Sequence, residues 1–119
     1  MNVVVVGASN KQDRFSNKAI RLLLEKGHDV IPVHPIINEI EGLTAVSDLK
    51  SITKEVDTVT LYVNPTKGEA LVDNIVALKP KRVIMNPGTE SELIKKTLDD
   101  EGIEVMKACT LVLLKTGQF

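Results

Sequence analysis

The chain has 119 residues, the usual size of one globular domain, so we expect residues 1–119 to form a single domain. With 15 basic and 16 acidic residues, a net charge of −1 and 3% aromatic residues, it lacks the positive surface and stacking platforms of nucleic-acid-binding proteins. No apolar run approaches a membrane span and no signal peptide precedes the first strand pattern, which predicts no membrane partner and a cytoplasmic location.

The first strand and helix follow directly from the N-terminus. Val3–Val6 is a continuous β-branched run, which is typical of a strand buried on both faces of a parallel sheet. After a loop over residues 7–14, Ser16 is predicted to cap a helix. Gly27 is predicted to end that helix, because glycine readily adopts the backbone conformation that follows a helix.

The second strand is predicted over residues 30–33. It is placed at or near an edge of the sheet, because its proline has no N–H group to donate. Residues 37–43 are predicted to be irregular. A short helix through Lys54 should follow, capped by Ser47 or Asp48.

The remaining sequence continues the alternation of strands and helices. It predicts a strand over 56–63, a helix over 68–78, a strand over 82–85, a helix over 90–101, a strand over 103–106 and a short helix over 110–115. Such alternation indicates an α/β fold, a doubly wound, Rossmann-like parallel sheet of five strands with helices on both faces. Ligands of these sheets bind beyond the carboxyl ends of the strands, where the strand order reverses.

The loop after the first strand carries the sharpest local signal for a ligand. Gly7 permits a tight turn, while the small residues Ala8 and Ser9 allow backbone amides to approach a phosphate at the start of the next helix. Lys11 and Arg14 add positive charge. The loop lacks the later glycines of the dinucleotide fingerprint and is not a P-loop, and an ordinary turn without a ligand is the alternative.

The second strand ends in Val33-His34-Pro35. NAD enzymes place a carboxylate at this point to bind the ribose, so the sequence disfavours NAD. His34 lies next to the expected cleft, and a ligand contact and a solvated turn are both open for it.

Two further loops follow strands of the predicted sheet, Asn64-Pro65 and Asn86-Pro87-Gly88. Proline fixes the direction of the chain in such loops and glycine permits unusual torsions. The loops are therefore predicted either to wall a ligand cleft or to act only as turns.

Groups suited to catalysis are few. His28 directly precedes a strand, where packing is the favoured role, and Glu90 near a helix start is interpreted as structural. Cys109 follows the last strand, where it is either a buried, inert cysteine or a thiol able to form a mixed disulfide with a thiol ligand. No set of histidines and cysteines suits a metal. The sequence therefore favours binding over enzymatic turnover.

Several motifs together carry a family resemblance. They are Val5-Val6-Gly7-Ala8-Ser9 with Arg14 and Ser16, Val30-Ile31-Pro32-Val33-His34-Pro35, Gly42, Tyr62-Val63-Asn64-Pro65, Lys81 to Glu90, and Ala108 to Leu111. Across almost its full length the chain resembles the small CoA-binding domain family, whose members are similar to the N-terminal domain of the succinyl-CoA synthetase alpha subunit.

The resemblance implies that coenzyme A or an acyl-CoA is the ligand. By position, Gly7, Ala8 and Ser9 would hold the pyrophosphate, Lys11 and Arg14 would neutralise it, Ser16 would cap the helix, and Val33, His34, Tyr62 and Asn64 would line the nucleotide cleft. The synthetase carries its phosphorylated histidine on a further domain, so the resemblance implies no ligase chemistry for this chain alone.

The leading interpretation is a carrier, sensor or regulatory module for CoA. The alternatives are a small enzyme using Cys109 in CoA thiol, disulfide or acyl-transfer chemistry, a protein resembling an NAD(P)-linked reductase, and a structural interaction domain. A protein partner or a homo-oligomer is compatible with the apolar segment over 111–114.

Overall fold

The computed structural model describes residues 1–119, and strands alternate with helices along the chain. In chain order the elements are β1 (Asn2–Val6), α1 (Phe15–Glu25), β2 (Asp29–Val33), β3 (Glu39–Ile40), β4 (Leu43–Thr44), a 3₁₀ turn (Leu49–Ser51), β5 (Thr58–Leu61), α2 (Pro65–Leu78), β6 (Arg82–Met85), α3 (Glu92–Asp100), β7 (Glu104–Lys107) and α4 (Thr110–Lys115). Five strands form a parallel sheet in the order β2-β1-β5-β6-β7, and β3 pairs with β4 as a separate antiparallel hairpin. The predicted doubly wound α/β fold is confirmed.

Both faces of the sheet are covered by helices, as the valine run of β1 predicted. Val3 and Val5 belong to an apolar core that includes residues of α1 and α4. Val4 and Val6 belong to the core on the opposite face, formed with α2 and α3. Each fully buried valine contributes roughly 1.5 kcal/mol or more, so this short strand anchors both cores at once.

The segment after β2 differs from its prediction. The structure confirms that β2 is an edge strand, but the β3–β4 hairpin over residues 39–44 occupies most of the segment 37–43 that was predicted to be irregular. Glu41 and Gly42 both have positive φ, 51° and 78°, which is the geometry of a two-residue hairpin turn. Glu-Gly is a weaker signal for this turn than Asn-Gly or Asp-Gly, which is why the sequence pattern did not predict it.

The crossover from the hairpin to β5 contains one 3₁₀ turn in place of the helix predicted through Lys54. Asp48 caps this turn by accepting a hydrogen bond from the Lys50 N–H group at 2.9 Å. Ile52 is already extended and packs against the core under α2 and α3, and its burial ends the helical segment.

Three helix starts are shifted from their predicted positions. Ser16 is not a cap, because Arg14 is the last extended residue before α1 and Ser16 lies buried inside the first turn. α2 begins at Pro65, with Asn64 as its cap, since proline suits the first position of a helix. Ser91 caps α3 through a hydrogen bond from the Ile94 N–H group at 3.2 Å. The longest helix has 14 residues, and none is long and apolar enough to cross a membrane.

An aromatic and charged cluster lies at the amino ends of the strands. The Phe119 ring meets the His28 ring edge-on at 5.2 Å, and the Arg82 guanidinium lies 4.3 Å from the centre of the same phenylalanine. Burial lowers the pKa of His28, and the N-terminal ammonium and Arg82 lower it further. His28 is therefore a packing residue at the end of the sheet opposite the predicted ligand cleft.

Lowering the pH through the titration of His28 is expected to lower the melting temperature. Because the folded protein holds the pKa of His28 below its ordinary value of 6.5, the unfolded chain takes up the proton first as the pH falls. The contribution of His28 to stability should be constant well above pH 6.5 and should decrease as the pH falls through that value. Thermal unfolding of His28→Gln should show a flatter dependence on pH, and identical slopes for the two proteins would contradict this role of His28.

Candidate functional site

The order of the strands reverses between β1 and β5. β1 leads to β2 on one side, whereas β5 leads to β6 and β7 on the other. The loop after β1, residues 7–14, therefore meets the loop after β5, residues 62–64, at the switch point where such folds bind ligands. Gly7 allows the two loops to touch, because a Cβ atom there would lie 2.8 Å from the carbonyl oxygen of Tyr62.

A large cleft opens at this switch point. Its volume is about 1190 Å³, somewhat above the usual range for small-molecule sites. The crossover between β2 and β5 contributes to its size, because it contains only the hairpin and the 3₁₀ turn instead of a long helix. The start of α2 is thus left uncovered and forms one wall of the cleft.

Most of the predicted site residues lie on the walls of this cleft. They are Gly7, Ala8, Ser9, Lys11, Arg14, Ser16, Val33, His34, Pro35, Tyr62, Asn64, Pro87 and Gly88. Three predicted residues do not line it: Pro65 forms the first turn of α2, Asn86 is buried beneath the cleft, and Cys109 is half-buried at the start of α4.

The structure adds residues that the sequence did not predict. They are Val6, Asn10, Phe15, Ile37, Ser47, Asp48, Leu49, Val63, Lys67, Ala70, Leu71, Asn74 and Thr89. Four of these, at positions 67, 70, 71 and 74, share one face of α2 at helical spacing. That spacing is visible in the sequence, but it does not distinguish a cleft wall from a core face.

The N-terminus of α1 is open toward the cleft. The amides of Phe15, Ser16 and Asn17 have no hydrogen-bond acceptor in the protein, and the first turn contains no carboxylate. The amides of Ser9 and Asn10 in the preceding loop are also without an acceptor. Unpaired amides at the positive end of a helix dipole are suited to binding an anion.

Three basic side chains reinforce this positive potential. Lys11, Arg14 and Lys67 line the cleft, and none of them forms a salt bridge. The only carboxylate on the walls is that of Asp48, which already caps the 3₁₀ turn. The uncompensated positive charge favours a ligand that carries several negative charges.

His34 organises the turn that follows β2. Its Nδ1 atom accepts hydrogen bonds from the Ile36 N–H group at 3.0 Å and the Ile37 N–H group at 2.9 Å. In the neutral ring this arrangement assigns the proton to Nε2. His34 therefore closes the turn and lines the cleft wall, while a contact with a ligand stays a prediction.

Asn86 connects three elements below the cleft. Its Nδ2 atom donates to the Thr60 hydroxyl at 2.7 Å and to the Leu61 carbonyl at 2.8 Å, while its Oδ1 atom accepts from the Thr110 N–H group at 2.8 Å. The residue is 2% exposed. Because its amide is fully engaged with protein groups, Asn86 fixes the ends of β5 and β6 and the start of α4 instead of reaching a ligand.

The turn after β6 presents its backbone to the cleft. The Thr89 hydroxyl donates to the Asn86 carbonyl at 2.8 Å, and the Glu90 carboxylate accepts from the Gly88 N–H group at 2.7 Å. These local bonds fix Pro87, Gly88 and Thr89 on the wall. They also agree with a structural role for Glu90.

Tyr62 lies at the boundary between the cleft and the buried polar network. Burial raises the pKa of Tyr62 to about 12, although the neighbouring Thr110 and Thr60 hydroxyls partly oppose the shift. Neither threonine reaches the phenol oxygen in good hydrogen-bond geometry, so this buried oxygen has no partner. Cys109 is close to Tyr62 but outside the cleft wall, and the geometry therefore gives no support to thiol chemistry in the cleft.

Comparisons with known proteins agree with this fold. A solved structure of an uncharacterised protein is 41% identical and superposes with a TM-score of 0.94 over 99% of this chain and 97% of its own. The uncharacterised protein YneT of Bacillus subtilis (strain 168) is 38% identical over 60 residues, so the match spans 50% of this chain and 44% of YneT.

A more distant likeness extends to a large synthetase. The acetyl-coenzyme A synthetase 1 of Ca. Korarchaeum cryptofilum shares 21% identity with a TM-score of 0.76, covering 90% of this chain and 25% of the synthetase, a likeness that concerns the fold alone.

The family model described as a CoA binding domain matches residues 1–115. The chain therefore belongs to the CoA binding domain family.

Proposed function

We propose that the chain binds coenzyme A or an acyl-CoA in this cleft, as a carrier, sensor or regulatory module without ligase chemistry of its own. The observation that carries the proposal is the open N-terminus of α1 beside the unpaired cations Lys11, Arg14 and Lys67. Membership of the CoA binding domain family supports the identity of the ligand.

The pyrophosphate of the ligand is assigned to the loop after β1. The unpaired amides of Ser9, Asn10 and Phe15 supply neutral donors, while Lys11 and Arg14 supply charge. Hydrogen bonds between charged groups are shorter and stronger than those between neutral groups, so these two side chains should contribute a large share of the affinity.

The nucleoside and the pantetheine arm are assigned to the rest of the cleft. Its walls mix apolar side chains such as Val33, Val63 and Leu71 with polar groups such as Asn64 and the backbone after β6. This mixture suits a ligand that is polar at its phosphates and less polar elsewhere. The cleft is also large enough for a ligand longer than a mononucleotide.

A binding role is supported by the state of the polar groups in the cleft. The Nδ1 atom of His34 is occupied by two backbone N–H groups, and an oxygen of Asp48 caps a turn. A general base needs a free lone pair within reach of the proton that it removes, and the Nδ1 atom of His34 and one oxygen of Asp48 are already engaged with the backbone. We therefore propose that the protein presents or senses the ligand instead of transforming it.

Isothermal titration with CoA, acetyl-CoA, NAD and ATP tests the proposal. Wild-type protein should prefer CoA or acetyl-CoA to NAD. Because a hydrogen bond to a charged group contributes about 1.5–3 kcal/mol, the variant Lys11→Glu/Arg14→Glu should bind CoA at least about 100-fold more weakly.

Lys54→Glu is the matched control, because Lys54 is exposed, forms no salt bridge and does not line the cleft. It changes the sign of one lysine without touching the proposed site. A wild-type protein that ignores CoA or prefers NAD would refute the proposal, and so would an equal loss of affinity in Lys54→Glu.

A further inference from the structure

Asn17 is a buried polar residue that has no place in the proposed ligand contacts. It lies in the first turn of α1 and is 0% exposed. Its Nδ2 atom donates to the Ser9 carbonyl at 2.9 Å and to the Glu41 carboxylate at 3.1 Å, while its Oδ1 atom accepts from Arg21 Nε at 2.8 Å. This amide side chain thus makes three hydrogen bonds, to the loop after β1, to the β3–β4 turn and to Arg21 on its own helix.

Asn17 and Arg21 hold the loop after β1 at two carbonyl groups. The Asn17 side-chain amide donates to the Ser9 carbonyl, and Arg21 Nη2 donates to the Gln12 carbonyl at 2.9 Å. In a planar trans peptide the C=O and N–H groups point in opposite directions. Holding the Ser9 carbonyl toward Asn17 therefore fixes the opposite direction for the N–H group of Asn10.

The N–H group of Asn10 has no acceptor in the protein, and Asn10 lines the cleft. If the Ser9–Asn10 peptide turned over, a carbonyl oxygen would replace this donor and repel a phosphate. The orientation of the Ser9–Asn10 peptide thus decides whether this position of the loop presents a donor or an acceptor to an anion.

Glu41 supports Asn17 from outside the loop. It lies in the β3–β4 turn with a φ of 51°, and its carboxylate receives the second hydrogen of the Asn17 amide. This bond links the hairpin to the phosphate-binding loop, although the two segments are far apart in sequence. Glu41 therefore keeps the Asn17 amide from rotating.

We propose that Asn17 is a positioning residue for the anion site, and that Glu41 holds it in place. Asn17 orients the Ser9–Asn10 peptide so that its N–H group faces the phosphate of the ligand. This inference rests on the proposed binding of CoA and adds to it the groups that prepare the loop before the ligand arrives.

The variant Asn17→Asp separates positioning from folding. It places a carboxylate against the Ser9 carbonyl and the Glu41 carboxylate, so both the melting temperature and the affinity for CoA should decrease. Adding Glu41→Gln supplies an amide that donates to the new carboxylate, which should recover part of the melting temperature lost in Asn17→Asp. The Ser9 carbonyl still lacks its donor, so CoA should remain about tenfold more weakly bound.

Thermal unfolding and CoA titration are measured for wild type, Asn17→Asp, Glu41→Gln and the double variant. The Asn10 amide signal in ¹⁵N spectra should respond to CoA in the wild type and lose that response in the double variant. A double variant with wild-type stability and wild-type affinity would overturn the inference. A wild-type protein that binds no CoA would instead refute the proposed function, and the inference with it.

Glu41→Ala provides the comparison if the double variant stays destabilised. It removes the support for Asn17 at a surface turn, and CoA should bind about threefold more weakly. Glu39→Ala on the same hairpin is its control, because the Glu39 side chain is exposed and forms no hydrogen bond or salt bridge. Equal affinities of Glu41→Ala and Glu39→Ala would then overturn the inference.

Discussion

Replacing Gly7 by alanine is expected to lower the free energy of unfolding by about 2–5 kcal/mol. Gly7 has a φ of +85°, which is unfavourable for alanine, and the added Cβ atom would lie 2.8 Å from the Tyr62 carbonyl oxygen. The clash involves backbone of the β5–α2 connection, which relaxes only if the two loops separate. Urea unfolding of the wild type and the variant measures the loss.

Gly27→Ala is the matched control for this prediction. Gly27 has the same φ of +85°, but no atom lies within 4 Å of the position that its Cβ atom would take. Gly27→Ala should lose free energy of unfolding only through its unfavourable backbone conformation, about 1–2 kcal/mol. If the two variants lose equal stability, close packing of the loops at the switch point does not explain the glycine at position 7.

Replacing Asn86 by alanine is expected to lower the free energy of unfolding by about 2–4 kcal/mol. The substitution leaves the Thr110 N–H group and the Leu61 carbonyl without the partner that Asn86 provides in a buried site. Each unsatisfied buried polar group is costly, and the start of α4 loses its link to the sheet. The loss should appear in urea unfolding without any ligand present.

Asn64→Ala provides the comparison for Asn86. Asn64 is also an asparagine at a strand end, but it is exposed and its side chain accepts one hydrogen bond, from the Lys67 N–H group at 2.9 Å. Loss of a helix cap should cost about 1 kcal/mol. An Asn86→Ala variant no less stable than Asn64→Ala would contradict the structural role assigned to Asn86.

The fold was largely predictable because its signals are local. The four consecutive valines of β1 indicate a strand buried on both faces, and the glycine at position 27 ends α1 where predicted. The hairpin was missed because its turn residues are Glu41 and Gly42, whose conformation depends on pairing with distant chain. The start of α1 was misplaced because Ser16, a residue type that often caps helices, lies two residues after the actual cap position, Arg14.

The candidate site was predictable where backbone chemistry determines it. Gly7, Ala8 and Ser9 are small residues in the loop after β1, where small side chains let backbone amides approach a ligand. All three line the cleft. Asn86 shows the limit of this approach, because a polar residue at a strand end has the same sequence signature whether it contacts a ligand or a buried hydroxyl. Its partners Thr60 and Thr110 lie far from it in sequence.

Lys67 and Asn17 were missed for a related reason. Lys67 occupies the first turn of α2, which faces the cleft where the crossover between β2 and β5 contains no long helix. The position of Asn17 within a helical sequence pattern does not indicate that its side chain contacts the loop after β1 and the β3–β4 hairpin. Such residues become recognisable only when elements distant in sequence are brought together.

Residue-resolved NMR titration tests the central claim most directly. Adding CoA to ¹⁵N-labelled protein should shift the amide signals of Ser9, Asn10, Phe15 and Ser16, which have no acceptor in the protein. The signals of Glu55 and Asp57, beside a small hollow at the opposite end of the sheet, should stay unchanged. Saturable shifts confined to the cleft are the predicted result, whereas no shift, or shifts centred away from residues 7–16, would contradict CoA binding at this site.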